Sequence, residues 1–444
     1  MNNLIIQILT VLTIISSVLF SQDMWVKTPT DPEGMGVTDI LFTPQGTLLV
    51  TTASFNWPTG QGGVRRTTNQ GTTWINVLDG YNARTLALGS SGVILASFWN
   101  YPANEGLYVS YNDGQTWVNR YYLAAAGNNI FSIAPTNNNM TIFLGTRTGV
   151  LRSTDGGQSF PAANNGIPPN SWVRDLSISS QGIIAAATTN GVFISSNNGS
   201  SWLQTTGIAQ GDTATKVEFV TDETDAAEDR LLIGTQHGRF YEATNENEFL
   251  NALTLYIFTE ETYVTSILRY EVNSYLVSHY GNGIIRGGVT KSTNGGSNFT
   301  AVNEGLPNNP RVSSMGWFSI GEFFSVAVGI FGVSQAGAQI YIRLLAIGIQ
   351  QISSEIPMGF SLSQNYPNPF NPATKLKFQV PYSENVRIAI YDALGKEVEV
   401  LVNKQLTPGT YETDWDASKF SSGIYYYRMT AGKYTDTKKM ILVK

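Results

Sequence analysis

The chain has no cysteine among its 444 residues. That absence excludes disulfide bonds, thiolate metal sites, cysteine nucleophiles and a lipid anchor on an acylated cysteine. Histidine is almost absent as well, since His237 and His279 are the only two. They are far apart in the sequence and have no carboxylate partner at a metal-binding spacing, so we expect both in ordinary loops. The sequence therefore predicts no metal site and no cofactor.

Charged residues are few, at 14% of the chain, whereas aromatic residues reach 11% and there are 43 glycines. Low charge with many aromatics and turn formers favours an all-β protein over helical bundles. The net charge of −6 is spread without a basic patch, which argues against nucleic acid and anionic membrane as partners. The densest acidic run, 221–230, lacks the spacing of a calcium loop and is predicted to be a solvated hairpin tip.

Long apolar runs are absent except at the amino terminus, from Leu4 to Phe20. This run is short for a membrane helix, and several polar residues interrupt it. We interpret residues 1–21 as a signal peptide that signal peptidase removes near Ser21, with a membrane anchor as the alternative.

The middle of the chain repeats one phrase of eight residues. The five clear copies are TTNQGTTW (67–74), SYNDGQTW (110–117), STDGGQSF (153–160), SSNNGSSW (195–202) and STNGGSNF (292–299). A degenerate sixth copy lies within 238–249 and lacks the turn glycine. Each copy follows a glycine and a short apolar strand. Repeats of about 40–50 residues with four short strands are typical of a β-propeller.

A second periodic feature gives the number of units. One apolar residue of a short strand recurs as Ile40, Leu86, Ile133, Leu176, Phe219, Ile267 and Met315. We therefore predict a seven-bladed β-propeller over residues 22–345, with four strands in each unit. The seventh unit has no fourth strand of its own. We expect Met24–Lys27 to supply it and so close the ring without an exposed edge.

The repeated phrase resembles the Asp-box, or BNR repeat, of secreted sialidases and of many non-catalytic propellers. Its key positions hold an amide or carboxylate, a glycine and an aromatic residue: Asn69, Gly71, Trp74, Asn112, Gly114, Trp117, Asp155, Gly157, Phe160, Asn197, Gly199, Trp202, Asn294, Gly296 and Phe299. The polar side chain accepts hydrogen bonds from the turn, and the aromatic ring anchors it. Because four copies of five carry Asn, we predict structural turns. The arginine motif that sialidases place before the first box is missing, so no sialidase activity is expected.

The carboxyl-terminal segment contains NYPNPFNP (365–372), YDALGKEV (391–398) and SSGIYYYR (421–428). Together they closely resemble the type A C-terminal sorting domain of the bacterial type IX secretion system, a small immunoglobulin-like sandwich. The resemblance implies a sorting domain at 360–444, preceded by a linker at 346–359, with the type IX machinery as partner. It also implies passage through the periplasm of a Gram-negative bacterium to the outer cell surface or the medium.

Glycan chemistry at the centre of the ring would need paired carboxylates. Asp39, Asp175 and Glu218 each precede the recurring apolar residue, so we predict that they share one position near the channel. They are either candidate catalytic acids or hydrogen-bond partners of neighbouring blades, the second being the expectation. Arg84 and Arg174 share another position, where they bind an anion or pair with these acids. We expect the pairing.

Three loops expected on one face of the ring are expanded, namely 54–63, 97–106 and 278–288. They carry the candidate ligand-binding residues Trp57, Trp99, Tyr101, His279, Tyr280 and Arg286. Exposed aromatics among amides suit a sugar ring or a protein hot spot, unless they fold back over their own loops. The leading hypothesis is a monomeric, exported, non-catalytic protein that binds a polysaccharide or a protein. The alternatives are a glycan-active hydrolase or lyase that uses the central pocket, and a scaffold in the cell envelope.

Overall fold

The computed structural model describes residues 24–32, 36–53, 62–79, 82–99, 106–122, 129–222, 225–244, 248–258, 262–271, 274–281, 287–320, 323–331, 338–346, 349–353, 356–417 and 420–443. Its regular structure is β-strand apart from one short 3₁₀ turn, Ser90–Gly92. The all-β fold class is therefore confirmed. No helix in the described ranges is long and apolar enough to cross a membrane.

Seven antiparallel sheets follow one another in the described part of residues 24–346. The strands of the first half are β1 (Val26–Lys27), β2 (Gly36–Phe42), β3 (Leu48–Ala53), β4 (Gly63–Thr67), β5 (Ile75–Asp79), β6 (Asn82–Leu88), β7 (Ile94–Trp99), β8 (Gly106–Ser110), β9 (Val118–Tyr122), β10 (Ile130–Pro135), β11 (Ile142–Thr146), β12 (Gly149–Ser153), β13 (Val173–Ile178), β14 (Ile184–Thr188), β15 (Gly191–Ser195) and β16 (Leu203–Gln204). Those of the second half are β17 (Ala214–Asp222), β18 (Asp225–Thr235), β19 (Arg239–Thr244), β20 (Ala252–Ile257), β21 (Thr262–Glu271), β22 (Ser274–Gly281), β23 (Gly288–Ser292), β24 (Thr300–Ala301), β25 (Val312–Ile320), β26 (Phe323–Ile330) and β27 (Gln339–Ala346).

The sheets are formed almost entirely by consecutive strands. Sheets 1 and 2 contain β2–β5 and β6–β9, sheet 3 contains β10–β12, sheets 4, 5 and 6 contain β13–β16, β17–β20 and β21–β24, and sheet 7 contains β25–β27 with β1. The first strand of each sheet contacts the first strand of the next, and β25 contacts β2, so these inner strands form a closed ring. The core lies between sheets: Val37 and Val50 of sheet 1 are fully buried against Ala327 and Ile340 of sheet 7. Burying a valine or isoleucine side chain stabilises the fold by about 1.5–3 kcal/mol.

The ring closes as the sequence predicts. Val26 and Lys27 of β1 pair with Ile342 and Tyr341 of β27. The preceding residue, Trp25, is buried, and its indole N–H donates a hydrogen bond of 2.5 Å to the carbonyl of Val302. The first residues of the described chain therefore complete the last sheet.

Sheet 3 departs from the expected four strands. The segment after its repeated phrase is reduced to one bridge, between Leu151 and Ala162. Pro161 lies beside this bridge and has no backbone N–H to donate to a strand ladder. Its carbonyl still accepts a hydrogen bond of 3.0 Å from the Arg152 amide. The proline accounts for the missing outer strand.

The remaining strands form two further sheets, one of order β28-β33-β30-β29 and one of order β32-β31-β34-β35. They are β28 (Ile349–Ser353), β29 (Ser361–Leu362), β30 (Ala373–Val380), β31 (Glu384–Tyr391), β32 (Glu397–Leu406), β33 (Gly409–Asp416), β34 (Gly423–Ala431) and β35 (Tyr434–Leu442). Phe378, Tyr411, Trp415, Tyr427 and Met440 belong to the core that the two sheets share. Strand β28 lies within the segment that the sequence assigns to a linker, yet it pairs with β33. This difference places residues 349–353 with the carboxyl-terminal sheets.

Candidate ligand site at the inner strands

Every inner strand has a β-bulge at the same place, near the end at which the strand begins. The residue that the pairing register skips, called here the bulge residue, is Thr38, Arg84, Phe131, Arg174, Thr215, Thr265 or Ser313 in sheets 1 to 7. A bulge turns its side chain away from the regular pleat and often marks a functional site. The ring therefore has seven bulge residues at equivalent positions of its inner strands.

Four bulge residues have a structural role. In each of them the side-chain hydroxyl donates a hydrogen bond to a backbone carbonyl of the next inner strand. The pairs are Thr38 with Ala83 (2.7 Å), Thr215 with Val264 (2.7 Å), Thr265 with Val312 (2.8 Å) and Ser313 with Val37 (2.5 Å). Because inner strands have an open edge, these bonds satisfy carbonyls that lack a ladder partner. The last of the four joins sheet 7 to sheet 1.

The other three bulge residues, Arg84, Phe131 and Arg174, belong to the consecutive sheets 2, 3 and 4. The guanidinium carbon of Arg84 lies 5.0 Å from the centre of the Phe131 ring. Phe131 stacks on Trp172, with ring centres 6.1 Å apart, and the Arg147 guanidinium lies 4.7 Å from the Trp172 ring.

The contacts continue from sheet 4 to sheet 6. Arg174 Nη1 donates a hydrogen bond of 3.1 Å to the hydroxyl of Tyr263 on β21. Tyr263 stacks on Tyr280 of β22 with ring centres 5.0 Å apart. Since sheets 4 and 6 are not neighbours in the ring, this bond spans the position of sheet 5. We call Arg84, Phe131, Arg147, Trp172, Arg174, Tyr263 and Tyr280 the arginine–aromatic cluster.

The cluster carries positive charge that the described carboxylates leave unpaired. Burial and the positive charge of Arg174 lower the pKa of Arg84, whereas Tyr263 and Asp39 raise it, and the net shift is downward. The Nε of Arg174 is buried and has no hydrogen-bond acceptor among the described residues. The expected ion pairs of the arginines with Asp39, Asp175 or Glu218 are not found among the described residues, where Arg174 bonds Tyr263 and both Asp39 and Asp175 have other partners.

Asp39 serves the contact between sheets. Its Oδ2 accepts hydrogen bonds from the Thr85 hydroxyl and the Leu86 amide on β6, both 2.9 Å long. Its Oδ1 accepts bonds from the amide of Ile40, 2.9 Å, and the hydroxyl of Ser314 on β25, 2.7 Å. All these donors are structural groups of three neighbouring inner strands, which matches the structural interpretation of this residue.

Asp175 occupies the corresponding place in sheet 4. Its Oδ2 accepts a hydrogen bond of 3.2 Å from the Val217 amide and lies 3.0 Å from the ammonium of Lys216, both on β17. Its Oδ1 accepts a bond of 3.2 Å from Ser132 on β10. Burial lowers the pKa of Lys216, but Asp175 and Asp39 outweigh this effect and raise it above its ordinary value. Asp175 and Lys216 therefore form an ion pair between sheets.

Glu218 does not share the position of Asp39 and Asp175, contrary to the expectation. The bulge of β17 lies between Ala214 and Lys216, so Lys216 is the equivalent residue. In the sequence Phe219 is assigned as the recurring apolar residue of this unit. In the structure the residue equivalent to Ile40 and Leu176 is the fully buried Val217. The side chain of Glu218 is exposed at its surface, although the neighbouring protein desolvates its carboxyl group. Burial and the negative charge of Asp175 raise its pKa to about 7, although Lys216 acts in the opposite direction.

The six residues singled out on the expanded loops have different positions. Trp57, Tyr101 and Arg286, and the side chain of Trp99, lie outside the described residues. Tyr280 belongs to the cluster. His279 is in β22 rather than in a loop, is buried, and stacks on Phe258 with ring centres 5.4 Å apart. Burial lowers its pKa to about 4. His237 lies between β18 and β19, where its Nδ1 is 2.7 Å from Asp212 Oδ1.

The repeated phrases form tight turns on the outer strands. In each clear copy the amide or carboxylate oxygen accepts a hydrogen bond from the backbone N–H four residues later: Asn69 to Thr73 (2.9 Å), Asn112 to Thr116 (2.9 Å), Asp155 to Ser159 (3.0 Å), Asn197 to Ser201 (2.9 Å) and Asn294 to Asn298 (3.0 Å). Gly71, Gly114, Gly157, Gly199 and Gly296 have positive φ. Phe160 and Trp202 are buried, whereas Trp74, Trp117 and Phe299 are partly buried. No group of three or more metal-ligating side chains occurs in these turns or elsewhere in the described ranges.

Replacing Asp155 by asparagine should leave stability at neutral pH almost unchanged and alter its response to acid. Hydrogen bonds from Ser153, Ser159 and Gln158 hold the pKa of Asp155 far below its ordinary value. A depressed carboxyl pKa stabilises the fold above the unfolded-state pKa of about 4, and that stabilisation is lost as pH falls towards the folded-state pKa. Thermal unfolding midpoints should be nearly equal for the parent chain and Asp155→Asn at pH 7, and between about pH 4 and pH 3 the midpoint of the parent chain should fall below that of Asp155→Asn. A constant difference would contradict the assignment.

One feature of the repeats marks the position of the cluster in the sequence. Aligned on the bulges, the repeats carry Thr or Ser in four units and Arg, Phe and Arg in the three others. Arg84 and Arg174 were identified as candidates, but Phe131, Arg147, Trp172 and Tyr263 were not. These four come together only through packing between sheets, which the repeat pattern alone does not define.

Comparison with known proteins agrees with this fold. Structures similar to the chain include YCF48 bound to a D1 peptide, with 15% sequence identity and a TM-score of 0.51 over 73% of this chain and 96% of that one. A catalytically inactive virginiamycin B lyase from Staphylococcus aureus has 13% identity and a TM-score of 0.52 over 72% of this chain and 99% of that one. The GH74 xyloglucanase from Xanthomonas campestris has 12% identity and a TM-score of 0.50 over 80% of this chain and 59% of that one. The chain has the fold of β-propeller proteins.

The carboxyl-terminal part matches a family model. Residues 364–444 match the secretion system C-terminal sorting domain. No curated protein sequence matches the chain. The chain is thus a β-propeller protein with a carboxyl-terminal sorting domain, which indicates type IX secretion to the cell surface or the extracellular space.

Proposed function

We propose that this exported propeller is a non-catalytic binding protein whose ligand occupies the arginine–aromatic cluster. The observation that carries the proposal is that three bulge positions hold Arg or Phe, whereas the other four hold Thr or Ser. Four bulge residues tie adjacent inner strands together, and a hydrogen bond of this kind is worth about 0.5–1.5 kcal/mol. Arg84, Phe131 and Arg174 lack this bond and present charge or an aromatic ring instead. Positions that break a local structural rule without structural gain are expected at functional sites.

The similar structures support a ligand-carrying propeller without choosing its chemistry. The YCF48 structure contains a bound D1 peptide, whereas the xyloglucanase and the lyase are enzymes. The choice for this chain therefore depends on its own residues. Asp39 and Asp175 are committed to bonds between sheets, while the cluster offers unpaired cations, which favours binding.

The domain arrangement belongs to the same proposal. We propose that the seven sheets are the blades of one propeller spanning residues 22–345, and that the repeated turns are Asp-boxes. Residues 1–21 act as the signal peptide, and the two carboxyl-terminal sheets form an immunoglobulin-like sandwich that begins at 360. Strand β28 is its additional edge strand from the intervening segment, 346–359. The protein is a monomer that passes through the periplasm.

Changing Arg84, Phe131 and Arg174 together to threonine should abolish ligand binding and leave the fold intact. Threonine is the residue with which other sheets of this ring bridge to the next inner strand, so the thermal midpoint should stay the same or rise. Ligands retained from extracellular material by the immobilised full chain should be lost by the triple variant. Arg428→Thr, which removes one positive charge from the carboxyl-terminal sheets where the triple variant removes two from the ring, is the control. Equal retention by parent and triple variant would contradict the proposed site.

A glycan-active hydrolase is a second candidate because of one observation. The pKa of Glu218, raised to about 7, suits a general acid at neutral pH. Glu218 lies three residues after the bulge residue Thr215 on β17, and the two are therefore separated by about 10 Å along the strand. If the chain releases sugars from a polysaccharide and Glu218→Gln loses this activity while keeping ligand binding, hydrolysis replaces binding as the function.

A further inference from the structure

We infer that the ligand of the arginine–aromatic cluster is an acidic peptide segment, held through its carboxylates. This inference rests on the proposed function, since it names the chemistry of the same site. The cluster combines three guanidinium groups, those of Arg84, Arg147 and Arg174, within a chain whose net charge is −6. Arg311 adds a fourth positive charge near Tyr280.

The charges of the cluster call for an external anion. The negative group that acts on Arg84 is Asp39, whose two carboxylate oxygens already accept four hydrogen bonds from structural groups. The buried Nε of Arg174 has no acceptor in the described part of the chain. Tyr263 accepts a hydrogen bond from Arg174, which leaves the hydroxyl hydrogen of Tyr263 to donate to a ligand. An anion bound here would receive bonds from both side chains.

The aromatic rings hold the guanidinium groups in place. Phe131 contacts Arg84 and Trp172, and Trp172 also contacts Arg147 and Arg174. A planar guanidinium fixed against a ring loses little further freedom when it binds a planar carboxylate through two parallel hydrogen bonds. The geometry therefore favours carboxylates over a neutral ligand.

The same contacts argue against a sugar chain. Recognition of a sugar commonly needs an aromatic face on which the ring can stack. Within the cluster Phe131, Trp172 and Tyr263 each already contact at least two of the other rings or guanidinium groups. The groups left for a ligand are guanidinium N–H donors and the Tyr263 hydroxyl. These suit the carboxylates of an extended peptide, in which alternate side chains lie on one side.

Calorimetric titration of the full chain tests the inference. The probes are an acetylated and amidated hexapeptide of alternating glutamate and glycine, the same peptide with glutamine for glutamate, an oligogalacturonate of equal length and inorganic phosphate. The glutamate peptide should bind and the glutamine peptide should not. Binding should weaken on the order of ten- to hundredfold in Arg174→Thr, as expected for loss of a charged hydrogen bond. Added salt should weaken it further.

Matched variants separate the two levels of the proposal. Arg174→Lys keeps the charge without the planar fork and should recover only part of the affinity, whereas Arg428→Thr should bind like the parent chain. Tighter, Arg174-dependent binding of oligogalacturonate or phosphate would overturn the peptide ligand and keep the site. Failure of the glutamate peptide to bind overturns this inference. If the triple threonine variant also retains every ligand of the parent chain, the proposed function is overturned together with this inference.

Discussion

A chain that ends at Ala346 should fold as a ring of sheets and remain associated with the cell that makes it. The deletion removes the residues that match the sorting domain, 364–444, and the core of the two carboxyl-terminal sheets. It also removes β28, which would otherwise lose its partner β33. Immunoblots of the medium, and of intact cells treated with an added protease, should show the truncated chain inside the cells and protected, whereas the parent chain is in the medium or is cleaved at the surface.

Two further chains make this experiment decisive. Residues 349–444 placed after an unrelated exported reporter should carry it to the outside. Trp415→Ala in the full chain empties a fully buried position of the carboxyl-terminal core, and a loss of about 3–5 kcal/mol should block export without unfolding the ring. Finding the truncated chain outside the cell would show that another segment directs export.

Replacing Trp25 by alanine should lower the free energy of unfolding of the ring by about 3–5 kcal/mol, the usual effect of truncating a buried tryptophan. Trp25 is 1% exposed and packs with Val289 of sheet 6 and Tyr341 of sheet 7. Its backbone N–H donates a hydrogen bond of 2.8 Å to the backbone carbonyl of Glu304. The thermal midpoint of Trp25→Ala should therefore fall clearly below that of the parent chain.

Val26→Ala is the matched control for Trp25→Ala. Val26 lies on β1 beside Trp25 but is 46% exposed, so its loss should cost no more than about 0.5 kcal/mol. Equal midpoints for the two variants would mean that β1 does not secure the ring. A much lower midpoint for Trp25→Ala alone would confirm that it does.

Much of the fold followed from sequence because the repeat is local. Each phrase encodes its own turn through an amide, a glycine and an aromatic residue, and the spacing of the phrases sets the succession of sheets. The closing strand was predictable because the seventh unit lacked a strand that the amino terminus could supply. Sheet 3 was harder, since its spacing is regular and only Pro161 marks the lost strand.

The site was less predictable because its residues depend on register. A shift of two residues in β17 moved Glu218 away from the position of Asp39 and Asp175 and put Lys216 there. Phe219 is apolar and follows the strand alternation, so the sequence pattern could not reveal the shift. The partners of the arginines were also unpredictable, because Tyr263 belongs to a sheet two places away from Arg174.

The bulge repeated around the ring has a consequence for how such proteins diversify. Seven side chains stand at equivalent positions, and at four of them the side chain donates a hydrogen bond to the next inner strand. A new recognition surface can therefore arise by single substitutions that each give up one hydrogen bond. A ligand contact and a hydrogen bond between sheets are thus alternative uses of the same position, while the buried core of Val37, Ala327 and Ile340 keeps the ring closed.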